Sequence, residues 1–242
     1  EWTTGPMLGF DLECTSPDPL QARIVTASLV SVETGERPTV TAHLTDPGVD
    51  IPAEATAIHG VTTGHAREHG RPAAEVADLV AADLALAMSH GIPMVAMNAA
   101  YDATVLECEL ARHGLPSLAD RLGGVVRPVL DPLVIDREVD RYRKGKRTLT
   151  ALCEHYGVTL AGAHDSSADA LAAVRLVRLL AERHASVGTV PLDDLHTAQA
   201  AWYRDWAESF AHYLRRQGNP QRADEVSLDW PVRPIPEGVA AP

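Results

Sequence analysis

Two hydrophobic periodicities divide the chain. Near the start, Leu8, Phe10 and Leu12 fall on one side of the segment 7–13, and Asp11 and Glu13 fall on the other. That alternation predicts a strand with one apolar and one acidic face. Arg23 to Val32 is rich in β-branched residues and reads as a second strand; after a turn at 33–36, Thr39 to Leu44 reads as a third. The three form an antiparallel meander. From Pro52 the spacing becomes helical. A short helix runs toward His59-Gly60, followed by a helix over Pro72 to Met88, a strand over Pro93 to Met97 and a helix over Tyr101 to His113. A short strand over Val125 to Leu130 precedes helices over Thr148 to Tyr156 and Ser167 to His184. A meander followed by alternating helix and strand predicts a mixed sheet with helices on its faces.

The pattern changes again near residues 186–191. Leu192 to Gln217 has Leu195, Trp202, Trp206, Phe210, Tyr213 and Leu214 at mostly helical spacing, and 219–242 is Pro-rich. The expected organisation is a main domain over 1–186, a helical extension over 187–218 and an extended tail over 219–242. The aromatic helix reads as packing surface, either on the main domain or in a dimer.

Composition narrows the class. With 242 residues and 45% hydrophobic content, the chain can bury a sizeable core. It has no apolar run of about 18 residues, so no membrane span is expected. Its start lacks the pattern of a secretory leader. Cys14, Cys108 and Cys153 form no CxxC pair, which supports neither a disulfide framework nor a thiolate zinc site and suits a reducing cytoplasm. The formal net charge of −12 argues against nucleic-acid binding through a general basic surface. An enzyme that meets a phosphodiester through metal ions and a local basic patch remains compatible with it.

The candidate chemistry is acidic. Asp11 and Glu13 repel each other in an apolar segment, and a bound cation offsets that cost. Asp102 falls in the first turn of a helix, where an acid also serves as a favourable helix-end charge. Asp169 shares a helix face with Ala172, Ala173, Leu176 and Leu180, while Arg175, Arg178 and Glu182 mark the polar face. This carboxylate therefore points where the helix packs. His164 sits in the small-residue loop just before that helix.

Taken together, Phe10-Asp11-Leu12-Glu13-Cys14-Thr15, Asn98-Ala99-Ala100-Tyr101-Asp102, and His164 five positions before Asp169 resemble the three motifs of the DEDDh 3′→5′ exonucleases. That superfamily includes bacterial proofreading exonucleases, ribonuclease T and oligoribonuclease. The resemblance covers roughly residues 7–184. It implies an α/β, ribonuclease-H-like mixed five-stranded sheet flanked by helices, here with a C-terminal helical extension. It implies two divalent ions, Mg²⁺ or Mn²⁺, held by Asp11, Glu13, Asp102 and Asp169, with Asp11 bridging and His164 as general base. The implied substrate is the 3′ end of single-stranded nucleic acid, DNA favoured and RNA open, released as nucleoside 5′-monophosphates. Cys14 stands where the family commonly has Thr, and is expected to face away from the acids.

His59 and Asn98 are candidate substrate contacts. So are Arg143 and Lys146, in the dense basic run 137–147 that also carries Tyr142; the alternative for that run is a solvated loop. Asp131 is either an acid near the metals or a strand-end turn residue. A DNA polymerase or a second copy of the chain is a compatible partner. The competing functional reading is a catalytically weak nucleic-acid-binding or polymerase-associated module. The completeness of the set Asp11, Glu13, Asp102, His164 and Asp169 argues against it. A structural domain with incidental acids is the third reading, and Asp169 on a packing face argues against that one.

Overall fold

A computed structural model of the chain describes residues 2–160 and 165–239. The meander forms where the alternation places it: β1 (Met7–Cys14), β2 (Ile24–Val32) and β3 (Thr39–Asp46) pair antiparallel in that order. Two short helices, α1 (Ala53–His59) and α2 (Thr63–His69), lead to β4 (Arg71–Pro72). Then come α3 (Ala73–Ser89), β5 (Met94–Val95), α4 (Ala99–Arg112), α5 (Leu118–Leu122) and β6 (Val129–Leu130). The rest is helical: α6 (Pro132–Val139), α7 (Leu149–Tyr156), α8 (Ser166–Arg183), α9 (Ala185–Gly188), α10 (Leu192–Arg216) and α11 (Pro220–Asp224).

The sheet order is β4-β3-β2-β1-β5-β6, six strands where five are expected. The extra strand is β4, two residues that run parallel to Thr45 and Asp46 at the end of β3. Gly70 makes this pairing possible. A Cβ there would collide with the Ala66 carbonyl and the Asp46 amide, so only glycine lets the chain pass this close to β3. The sheet is mixed, because β1 pairs antiparallel with β2 and parallel with β5.

Helices cover both faces. One core takes Phe10 and Leu12 from β1, the apolar sides of α3 and α4, and Tyr203 and Ala207 from α10. The other takes Met7, Val30 and Val95 from the sheet, Leu152 and Tyr156 from α7, and the small and branched residues Ala170, Ala173, Val174 and Val177 from α8. Because β1 alternates, its even residues serve the first core and its odd residues face α8. The first strand is therefore central, and its acidic face lies under a helix.

Helices α2, α5 and α6 have no counterpart in the sequence reading. Each is eight residues or fewer, too short for a periodicity to stand out. The C-terminal stretch also departs from an extended tail. α11 forms within it, and Trp230 returns to the first core, 8% exposed, with its ring centroid 5.1 Å from that of His196. The aromatic helix α10 packs on α6 and β6. Among the described residues, no helix is long and apolar enough to cross a membrane.

Candidate active site

The site is assembled at the end of β1 by three local devices. The first satisfies an open strand edge. β5 pairs with β1 only at Leu8–Met94 and Gly9–Val95. Beyond that point the Leu12 amide has no strand partner on this side, and it donates instead to Asp102 Oδ1 at 3.1 Å. A buried amide needs an acceptor, so this hydrogen bond holds the first turn of α4 against β1.

The second device starts α4 in the right place. Asn98, between β5 and α4, adopts a left-handed conformation with φ 65° and ψ 48°, a region that asparagine tolerates better than most residues. It is the one non-glycine residue with positive φ among those described. Asp131 holds the turn. Its carboxylate accepts from the Asn98 amide at 3.1 Å, the Ala99 amide at 2.9 Å and the Leu133 amide at 2.9 Å. Asp131 is thus the cap of α6 and the brace of α4, a strand-end acid turned to structural use. Neither periodicity nor motif spacing signals that role.

The third device brings α8 close. Asp165 caps it, accepting from the Ser167 and Ala168 amides at 2.9 and 3.2 Å. The hydroxyls of Ser166 and Ser167 meet that of Ser28 at 2.7 and 2.9 Å, and Thr26 lies 3.3 Å from Ser166. Ser28 and Thr26 sit opposite Asp11 and Glu13 in the β1–β2 register, so the start of α8 is fastened over the acidic face. Gly9 allows the final approach. A Cβ there would lie 2.7 Å from the Ala170 carbonyl oxygen and 3.1 Å from Val174 Cγ2.

Carboxylate oxygens of Asp11, Glu13 and Asp169 come within 4.8 Å of one another. Burial pushes the Asp11 carboxyl well above the usual range, and the charges of Asp102, Asp169 and Glu13 push it further. Burial, then Asp169 and Asp165, raises Glu13 to about 7. Burial also raises Asp102, against hydrogen bonds that lower it. Other deeply buried acids have partners: Glu109 pairs with Arg23 at 2.5 Å and Arg112 at 2.7 Å, Asp136 with Arg143 at 3.0 Å and with Arg147, while Asp131 and Glu107 accept from backbone amides. Among the described residues, no lysine or arginine forms an ion pair with Asp11 or Glu13. Three close carboxylates with oxygen donors alone fit a hard divalent cation.

Asp102 does not belong to this close triplet. It stands behind it on the Leu12 amide, near enough for its charge to act on Asp11. His164 lies outside the described residues. Cys14 follows the bulge between residues 13 and 14 and packs with the first core beside Tyr101, and burial with the charges of Asp102, Asp11 and Glu13 raises its thiol. His59 lines a groove of about 500 Å³ with Glu13, His43, Asp165 and Ser166, and its Nδ1 accepts from the Val61 amide at 3.1 Å. Lys146 is exposed on its loop. Arg143 is not a free cation: it is engaged by Asp136 at 3.0 Å and Asp140 at 3.4 Å.

No curated protein sequence matches the chain. Among solved structures, E. coli exonuclease I in complex with a dT13 oligonucleotide is similar, with a TM-score of 0.63 and 18% identity over 76% of this chain and 43% of that one. A moderately thermophilic exonuclease I from Methylocaldum szegediense gives 0.62 and 21% over 76% and 42%. The zinc-bound form of the E. coli exonuclease I–ssDNA complex gives 0.64 and 17% over 76% and 42%. The chain therefore spans less than half the length of these exonuclease I chains, and the likeness establishes a shared fold. The family model RNase_T, described as Exonuclease, matches residues 8–177. That stretch contains β1, α4 and the start of α8 with all of their acids, and the chain belongs to this exonuclease family, within the DEDDh superfamily that its motifs resemble.

Proposed function

We propose that the chain is a divalent-metal-dependent 3′→5′ exonuclease acting on single-stranded nucleic acid, with DNA favoured, and that it releases nucleoside 5′-monophosphates. The observation that carries this reading is the convergence of Asp11, Glu13 and Asp169 within 4.8 Å with no lysine or arginine of the described residues paired to Asp11 or Glu13. The single-stranded DNA bound by the exonuclease I structures supports the choice of substrate.

In this reading Asp11, Glu13, Asp102 and Asp169 would hold two divalent ions, for which Mg²⁺ or Mn²⁺ suits the oxygen donors. When bound, such ions polarise the phosphoryl oxygen and lower the pKa of a coordinated water. The protein supplies the rest. β1 fixes Asp11 and Glu13 on the central strand, so the site needs little rearrangement on binding. His164 accepts the proton of the attacking water, a task suited to an imidazole whose ordinary pKa is about 6.5. The groove beside Glu13 and His59 receives the terminal nucleotide.

A 5′-labelled oligonucleotide tests the reading. With Mn²⁺, the expected product is a ladder that shortens from the 3′ end. EDTA stops it, and Asp11→Ala and Asp169→Ala abolish it while the domain stays folded. Undiminished hydrolysis in EDTA, or near-wild-type turnover by either variant, excludes the metal mechanism. Binding without cleavage returns the protein to the recognition-module class.

A further inference from the structure

The densest positive region of this acidic chain lies away from the carboxylates. A cavity of about 490 Å³ opens between α10 on one side and α6 with its following loop on the other. Its walls include Arg137, Arg141, Arg143, Arg147, Trp202 and Trp206. The size falls within the range of small-molecule sites, ~300–1,000 Å³.

The four guanidinium groups are not equivalent. Arg143 and Arg147 are committed to the buried Asp136, which also accepts from the Tyr156 hydroxyl at 2.8 Å. Arg141 pairs with Glu138 at 2.6 Å on the exposed rim. Arg137 has no carboxylate or carbonyl partner among the described residues, and its Cζ lies 3.6 Å from the ring centroid of Trp206. That indole also stacks on Phe210, centroids 5.3 Å apart and planes 10° from parallel. Burial lowers Arg137 to about 10, so it remains charged at neutral pH. Asp131 and Asp136 act on it only through their charge, so the donors of this largely buried cation over an indole are left for a further acceptor. Asp205, also on the wall, forms no ion pair with it.

We propose that this cavity binds one nucleotide of the single-stranded substrate, with its phosphate on Arg137 and Arg141 and its base on the Arg137–Trp206 stack. Guanidinium forks match phosphate oxygens, and bases stack on guanidinium planes as they do on aromatic rings. Chain connectivity links the two regions. α6 begins at Asp131, which braces the start of α4, and Arg137 lies about 9 Å further along that helix. A strand whose 3′ end reaches the carboxylates can therefore cross α6 and enter the cavity. The inference rests on the single-strand exonuclease reading, and adds a second holding point for the same strand.

The test uses Arg137→Gln, and Arg141→Gln as a surface variant that disturbs no buried group. Binding of a fluorescein-labelled dT 12-mer is measured by anisotropy with Ca²⁺ in place of Mg²⁺, across a salt series. Turnover of the p-nitrophenyl ester of thymidine 5′-monophosphate with Mn²⁺ reports the carboxylate site alone. The expected result is a loss of 12-mer affinity of about tenfold for each variant, a salt slope lower by about 0.7, and unchanged turnover of the ester. Wild-type affinity and salt slope in both variants overturn the proposal. If the wild-type chain cleaves neither substrate yet binds the 12-mer in an Arg137-dependent way, the cavity stands and the exonuclease reading fails.

Discussion

Gly9→Ala is the smallest change that tests how the carboxylates are brought together. Its Cβ would sit 2.7 Å from the Ala170 carbonyl oxygen and 3.1 Å from Val174 Cγ2. The first contact is about 0.7 Å inside van der Waals separation. The obstacle is helix backbone and cannot rotate away, so α8 must retreat from β1. Overpacking of this kind costs about 1–3 kcal/mol, which in a domain of this size lowers Tm by roughly 2–12 °C. The same retreat moves Asp169, which lies one residue before Ala170, away from Asp11 and Glu13. A misplacement of about 1 Å in an active site can cost about 100-fold in rate. The assay pairs thermal melts in EDTA with Mn²⁺-dependent turnover and Mn²⁺ titration. Turnover should fall far more than the loss of folded protein accounts for, and Mn²⁺ should bind more weakly. A melting temperature and turnover both equal to wild type would show that the β1–α8 spacing does not set the site.

Other outcomes follow from the same geometry. Glu13 is raised to about 7 from 4.5, so in metal-free protein its contribution to stability is fully present below about pH 4.5 and is lost as pH rises through about 7. After discounting for its solvent access this amounts to roughly 1–2 kcal/mol; Glu13→Gln should remove that slope in EDTA melts, and an unchanged slope refutes the assignment. Because ion binding requires ionised carboxylates, the Mn²⁺-induced rise in Tm should grow between about pH 5 and about pH 8; an equal rise at both ends contradicts it. Asp131→Asn leaves one of three buried amides facing a donor, at a cost of about 1–3 kcal/mol, and should lower turnover by loosening α4; full activity with a normal Tm would make the brace superfluous. His164→Ala should reduce kcat far more than it raises KM, and the reverse split removes it from the role of base.

What the sequence made legible was whatever violated a pattern. Asp11 and Glu13 stood out as charges in an apolar alternation, and Asp169 as an acid on an apolar helix face. Both readings concern which way a side chain points, and periodicity reports that directly. Pairing is another matter. Arg143 looked like a free cation in a basic run, yet it serves Asp136, because a charge run does not say which acid folds back onto it. Asp131-Pro132 read equally well as a turn, and α6 stayed hidden behind it. Gly9 gave no signal at all. A glycine inside a strand reads as a weak point, and its value here comes from a helix that arrives some 160 residues later. The sixth strand was missed for the same reason, since two residues have no period.

The treatment of buried acids separates structure from function in this chain. Glu109 and Asp136 are each met by two arginines, the arrangement expected where a buried charge has to be neutralised within the protein. Asp131 is satisfied by backbone amides. Among the described residues Asp11 and Glu13 receive neither treatment, although serine and threonine hydroxyls, a capping aspartate and a strand glycine all work to hold the helix that carries Asp169 close to them. Enforced repulsion of that kind lowers the stability of the metal-free chain as the carboxyls ionise, and a bound cation relieves it. The C-terminal helix shares in maintaining it. Gln199 accepts from the Asp131 amide at 2.7 Å and donates to the Val129 carbonyl at 3.1 Å. α10 thereby fixes the end of β6, β6 presents Asp131, and Asp131 sets the start of α4, whose Asp102 holds the Leu12 amide between the two acids of β1. Strain at the carboxylates is thus sustained by an unbroken line of hydrogen bonds that reaches outside the matched family segment.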